Sequence, residues 1–118
     1  MNGYAPGNLL AQSRVADTNA STLYTASIKT EITRIIIANT TGSAATFRLF
    51  HDQGGSTYDE SNALIYDFSI ASGAFFDSLQ SFNTGNGITL VPTDTLGIRS
   101  GTGNALTFNL YGVLSDAR

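Results

Sequence analysis

Few residues in this chain have side chains suited to chemistry, and they lie close together. The single histidine, His51, is followed directly by Asp52. A histidine acts as a general base when a hydroxyl or thiol nucleophile sits beside it and a carboxylate orients it. The chain has no cysteine and no Gly-x-Ser-x-Gly elbow, so the rest of such a constellation is not legible around His51. A histidine at a strand end with no such company reads as a hydrogen-bonded loop anchor, and no catalytic residue is assigned. A second cluster, Asp52, Asp59 and Glu60, surrounds Gly54 and Gly55. Hard oxygen ligands on a glycine-rich loop suit calcium, but the spacing is not that of an EF-hand, and calcium needs six or more converging oxygens. The preferred reading is a solvated acidic turn with no bound metal. Gly101-Thr102-Gly103 shares its composition with a phosphate-binding turn. It leads into another strand, not into a helix N-terminus, so no cofactor is implied.

Composition narrows the function classes. Charged residues are 13% of the 118, against roughly 25% in average soluble proteins. Thr, Ser, Asn and Gly take their place, giving polar, uncharged surface that costs less to desolvate in a protein contact than Lys or Glu. The net charge is −3 and the pI near 4.7. The six basic residues, Arg14, Lys29, Arg34, Arg48, Arg99 and Arg118, are scattered, which argues against a nucleic-acid partner. Met1 to Gly7 has no basic residue and no apolar core behind it, so no signal peptide is legible. The aliphatic run Ile35 to Ala38 is too short to span a membrane.

The elements that must position these residues are strands. Leu106, Phe108 and Leu110 alternate with Thr107, Asn109 and Tyr111, the period of a strand with one buried face. Leu64, Tyr66, Phe68 and Ile70 alternate in the same way with Ile65, Asp67 and Ser69. Ile35, Ile36 and Ile37 are apolar on both phases, as in a central strand covered from both sides. Thr46 to His51 reads as its hairpin partner across the turn Thr41-Gly42-Ser43-Ala44, with Gly42 free to take positive φ. Further strands are expected at Leu9 to Arg14, Thr22 to Ala26, Ala74 to Leu79, Ile88 to Val91 and Thr95 to Arg99, separated by Gly and Pro turns. The expected fold is all-β: a two-sheet antiparallel sandwich, jelly-roll-like, over residues 9–118, with residues 1–8 as an extended N-terminal arm.

Most aromatic residues, Phe47, Phe68 and Phe108 among them, fall on apolar phases and are expected in the core. Phe75-Phe76 cannot both be, because neighbouring strand residues face opposite ways, so one of the pair is a candidate contact. Tyr4 in the arm and Tyr24 complete the expected partner-binding set, and Tyr58 in the acidic loop is a candidate for a glycan.

Taken together, several stretches resemble small β-sandwich virion proteins of tailed bacteriophages. They are Leu23-Tyr24-Thr25, Ile35 to Thr40, Thr46 to Asp52, Gly55 to Glu60, Ala63 to Asp67, Thr95 to Arg99 and Ala105 to Gly112. The resemblance implies a decoration or cement protein, trimeric, bound to the major capsid protein on the outer capsid surface of a virion assembled in the host cytoplasm. A tail, fibre or head-to-tail junction adaptor is its alternative. A jelly-roll hydrolase dependent on His51 is a more distant one.

Overall fold

The structure, a computed structural model, describes residues 7–78 and 87–115. Nine strands run through them: β1 (Asn8–Arg14), β2 (Ser21–Thr25), β3 (Thr30–Asn39), β4 (Ala45–Asp52), β5 (Ala63–Ile70), β6 (Phe75–Asp77), β7 (Ile88–Leu90), β8 (Thr95–Ser100) and β9 (Leu106–Leu114). A 3-10 turn, Glu60–Asn62, precedes β5. One sheet has the order β1-β9-β3-β6, with β7 also on β3, and the other has β2-β8-β4-β5. Every pairing is antiparallel.

With β6 and β7 taken as two halves of one interrupted strand along β3, the chain pairs as a long folded hairpin: β1 with β9, β2 with β8, β3 with β6 and β7, β4 with β5. Rolling that hairpin adds β9 to β3 and β8 to β4. This is the eight-stranded jelly roll. One sequence expectation is corrected by it. β3 and β4 lie in opposite sheets, and so do β8 and β9, so neither couple is a hairpin. The turn after β3 owes its shape to Asn39. The Asn39 amide donates to the carbonyls of Ser43, Ile70 and Ala71, while its oxygen accepts from the Thr41 amide. Gly42 is not among the positive-φ residues, so it does not set the turn.

The core forms where inward phases meet. Ile32, Ile35, Ile37, Phe76, Leu90, Leu106, Phe108 and Leu110 come from one sheet, and Ala45, Phe47, Leu49, Ile70, Leu96 and Ile98 from the other. Each large side chain so buried contributes roughly 1.5–3 kcal/mol. Phe47 is the hub, its ring centroid 5.0 Å from that of Phe76, 5.7 Å from Phe68 and 6.2 Å from Phe108.

The phase of β5 is a second correction. Phe47 opposes Phe68 while Leu49 opposes Ile65, so Arg48 on β4 faces two residues, Tyr66 and Asp67. Asp67 takes a φ of 55° in this bulge, and the extra residue resets the alternation. Ile65 therefore packs against the core, whereas Leu64 and Tyr66 are exposed. Phe68 points toward Phe47 and Phe76 but lies on the edge strand and stays 45% exposed. It is a rim residue and not the core residue expected.

Candidate interaction surface

His51 is the penultimate residue of β4, on its inward phase opposite Leu96. Its Nε2 lies 3.0 Å from Asp94 Oδ2, an oxygen that also accepts from the Val91 amide. Burial pushes the Asp94 carboxyl up, but the His51 and Val91 hydrogen bonds outweigh it, leaving the group below the ordinary aspartate value. The other oxygen, Oδ1, is buried with no hydrogen-bond partner among the described residues. The turn beyond is tied to the β2–β3 connection, with Thr93 N donating to Ala26 O and Ala26 N to Asp94 O. His51 thus pins a turn, and among the described residues no hydroxyl is hydrogen-bonded to it.

The acidic loop uses its own carboxylates. Asp52 Oδ2 accepts from the Thr57 amide. Asp59 caps the 3-10 turn, with Asn62 Oδ1 accepting from Asp59 N, and hydrogen bonds from the Ser61 hydroxyl and then the Ser61 amide hold the Asp59 carboxyl below its usual range. Glu60 is exposed in the first turn. Among the described residues no group of three or more His, Asp or Glu is gathered that could hold a metal, so Asp52, Asp59 and Glu60 do not form the calcium cluster considered from sequence.

The loop's actual task is to fold back over β8 and β4. The Tyr58 ring stacks on Phe50 at 5.6 Å and covers Gly97, where any Cβ would meet it at 2.4 Å. Its hydroxyl is engaged by Thr22 Oγ1 at 2.6 Å and Thr95 Oγ1 at 2.9 Å. Tyr58 is a clasp, its ring laid on Phe50 and Gly97 and its hydroxyl held between Thr22 and Thr95. The sequence signal for this was Gly97 itself, since a glycine within a strand often marks a close approach.

The four expected contact residues separate. Tyr4 lies outside the described residues, as does the arm up to residue 6, and Asn8 already belongs to β1. Tyr24 opposes Leu96 and packs half-buried against the core. Of the doubled phenylalanine, Phe76 is 3% exposed and Phe75 is 62% exposed. Phe75 opposes Ala38 at the free edge of its sheet.

The Phe68 ring stands 5.3 Å from that of Phe76, so the edge strands β5 and β6 share one flank of the sandwich. Leu64 at 42% and Tyr66 at 43% leave the outer face of the four-stranded sheet there, Phe75 leaves that of the five-stranded sheet, and Phe68 sits on the rim between the two. The charges beside them are internally matched. Arg48 makes a two-point contact with Asp67, Nε to Oδ1 at 2.7 Å and Nη2 to Oδ2 at 3.1 Å, with its guanidinium 3.9 Å above the Tyr66 ring. Arg99 reaches the same carboxylate at 3.9 Å. The Arg48 hydrogen bond holds Asp67 below its ordinary value, and Asp67 in turn raises Arg48. Sequence reasoning missed this cluster because the bulge that brings Tyr66 and Asp67 around Arg48 has no residue signature.

The outer face of the five-stranded sheet is a mosaic. Arg34 grips Asp77 through Nε at 3.1 Å and Nη2 at 2.6 Å. Beside them a shallow depression is lined by Gly7, Arg34, Ile36 and Tyr111. Ile36, expected to be covered, is half-buried here.

No family model matches the chain, and no curated protein matches its sequence. Among solved structures, one described as the structure of infectious bursal disease virus Gx strain superposes with a TM-score of 0.44 at 11% identity. The match takes in 95% of this chain and 32% of that chain.

Proposed function

We propose that the chain is a structural protein of a bacteriophage virion, a decoration or cement protein that binds the major capsid protein and stabilises the head. The observation that carries this reading is Phe75, a large apolar side chain 62% exposed on a sandwich whose core is already filled without it. Low charge favours contact surface over solvated surface, and the one histidine and the acidic loop are occupied with holding turns. The mechanism is added contact area. A subunit that binds only the mature shell stabilises it by mass action, and seating three copies together multiplies weak contacts into tight ones. The sequence resemblance supports the same reading and implies a seat on the outer capsid surface. No hydrolytic role is proposed, and His51→Ala is expected to alter stability and no activity.

Counting the chain in purified particles by quantitative mass spectrometry tests the proposal. Seating on a symmetric shell requires on the order of hundreds of copies per particle. About a dozen or fewer, as repeated contact at one vertex would give, transfers the chain to the tail or its junction. Absence from particles overturns both.

A further inference from the structure

We infer that residues 1–6 act as a strap laid across the outer face of the five-stranded sheet of their own chain. The Tyr4 ring is seated in the depression lined by Gly7, Arg34, Ile36 and Tyr111. Such a strap is present whether or not the chain belongs to a virion.

The chain reaches that face at Gly7. β1 is the edge strand, and β9 separates it from β3. Asn8 still pairs with Gly112 of β9, and the ladder stops there. Gly7 has a φ of 82°, in the left-handed region that turns an extended chain aside. A Cβ added to it would meet Thr33 Oγ1 of β3 at 2.6 Å and the Gly112 amide nitrogen at 3.3 Å. A residue that precedes β1 and touches β3 must lie over β9, on one face of the sheet. Ile36 stands between the buried Ile35 and Ile37, and Tyr111 between the buried Leu110 and Gly112. Strand alternation therefore points the residues around the depression away from the core, and Gly7 is on the outer face with them. Pro6 has no amide hydrogen with which to resume pairing to β9.

Reach and composition then select Tyr4. It comes three residues before Gly7, and a chain spans at most about 3.6 Å per residue, which keeps the Tyr4 backbone within roughly 11 Å of Gly7. Because Gly7 is itself part of the depression's wall, the depression lies inside that radius. Tyr4 is the one aromatic residue among the six.

The depression has the chemistry to hold a tyrosine ring. Asp77 grips Arg34 through Nε and Nη2, and the Arg34 side chain is 44% exposed. Asp67 grips Arg48 through the same two nitrogens, and there the guanidinium stands 3.9 Å over the Tyr66 ring. A guanidinium whose edge is engaged by a carboxylate still presents a weakly hydrated face to an aromatic ring. Ile36 and Tyr111 supply apolar neighbours, which suit a ring with a polar tip.

Nuclear Overhauser spectroscopy of the full chain tests the strap. In the wild type, the Tyr4 ring protons are expected to show cross-peaks to the Ile36 methyl groups. Tyr4→Ala is expected to abolish them and to displace the Ile36 methyl and Arg34 Nε–H resonances, while Tyr4→Phe, which keeps the ring, retains the contacts. An unchanged circular dichroism spectrum shows that both variants fold. No Tyr4–Ile36 cross-peak in the wild type, or Ile36 and Arg34 resonances that ignore Tyr4→Ala, overturns the inference. Cross-peaks that arise only between labelled and unlabelled chains in a mixed sample overturn it too, because the segment then crosses to a neighbouring copy.

Discussion

The two flanks of the sandwich face the same hazard, unpaired strand edges that invite other chains, and they meet it differently. On the β1/β2 flank the edges are polar and tied down. Gln12 reaches across to Asn109 at 2.7 Å, and Arg14 reaches Thr40 Oγ1 at 2.9 Å and the Asn104 carbonyl at 2.6 Å. β2 is short, exposes Ser21, Thr22 and Thr25, and is bulged at Leu23. Leu9 is its one large exposed apolar side chain among the described residues. On the opposite flank β5 is bulged too, but beside the bulge Leu64, Tyr66 and Phe68 are exposed, with Arg48 and Arg99 facing Asp67. A protein that only had to avoid aggregation would protect both edges with charge or proline. The difference teaches that a bulge interrupts the ladder of an edge whether the side chains around it are polar or apolar.

The sharpest way to break that comparison is inside the doubled phenylalanine. Phe76→Ala removes a ring from the Phe47 cluster and is expected to lower unfolding stability by about 3–5 kcal/mol in urea titrations. Phe75→Ala, one residue away, is expected to cost the monomer no more than about 0.5 kcal/mol. Comparable losses would show that Phe75 is a core residue and that the flank is not free surface.

Next in size is the clasp. Gly97→Ala places a methyl group against the Tyr58 ring, and overpacking of this kind costs about 1–3 kcal/mol. Its effect should appear in the melting temperature and in the environment of Tyr58, with self-association unaltered, since β8 is interior to its sheet. A change in association would mean that the clasp also shapes a contact.

A smaller effect depends on pH. The folded Asp94 carboxyl is held below its ordinary value, so the folded state binds this proton less readily than the unfolded chain does. Its contribution is complete above the unfolded aspartate pKa of about 3.9 and is lost as pH falls through the lower folded value. Wild-type stability should therefore fall at acid pH, and Asp94→Asn should flatten that fall by on the order of 1 kcal/mol, because burial offsets part of what the hydrogen bonds to the carboxylate supply. An identical acid limb in the variant would show that His51 does not pin the turn through this carboxylate. At the small end, Leu9→Glu on the opposite flank should change monomer stability by no more than about 0.5 kcal/mol.

What was legible in the sequence follows from how local each signal is. Strand positions came through because period-two alternation and Gly or Pro turns are written within a few residues, as in Leu106 to Leu110 and in the breaks at Ser72-Gly73 and Gly101-Thr102-Gly103. Pairing did not. The turn between β3 and β4 has hairpin-like composition, yet Asn39 bends it across to the other sheet, a decision made by contacts with Ile70 and Ala71 far along the chain. The phase of β5 failed for a related reason. Leu64, Tyr66 and Phe68 alternate perfectly, and only the left-handed Asp67 resets them, a conformation available to aspartate but not announced by it. For Phe75-Phe76 the alternation fixed that one ring must leave the core. Which one leaves was decided by the pairing of Phe76 with Ile37.

Hydrogen–deuterium exchange at low and high protein concentration tests the comparison of the two flanks most directly, because it reads both edges in one experiment. With rising concentration, protection should increase in Ala63–Ile70 and Phe75–Asp77, while Asn8–Arg14 and Ser21–Thr25 exchange as before. Protection that grows on the β1/β2 flank instead, or on neither, would contradict the account.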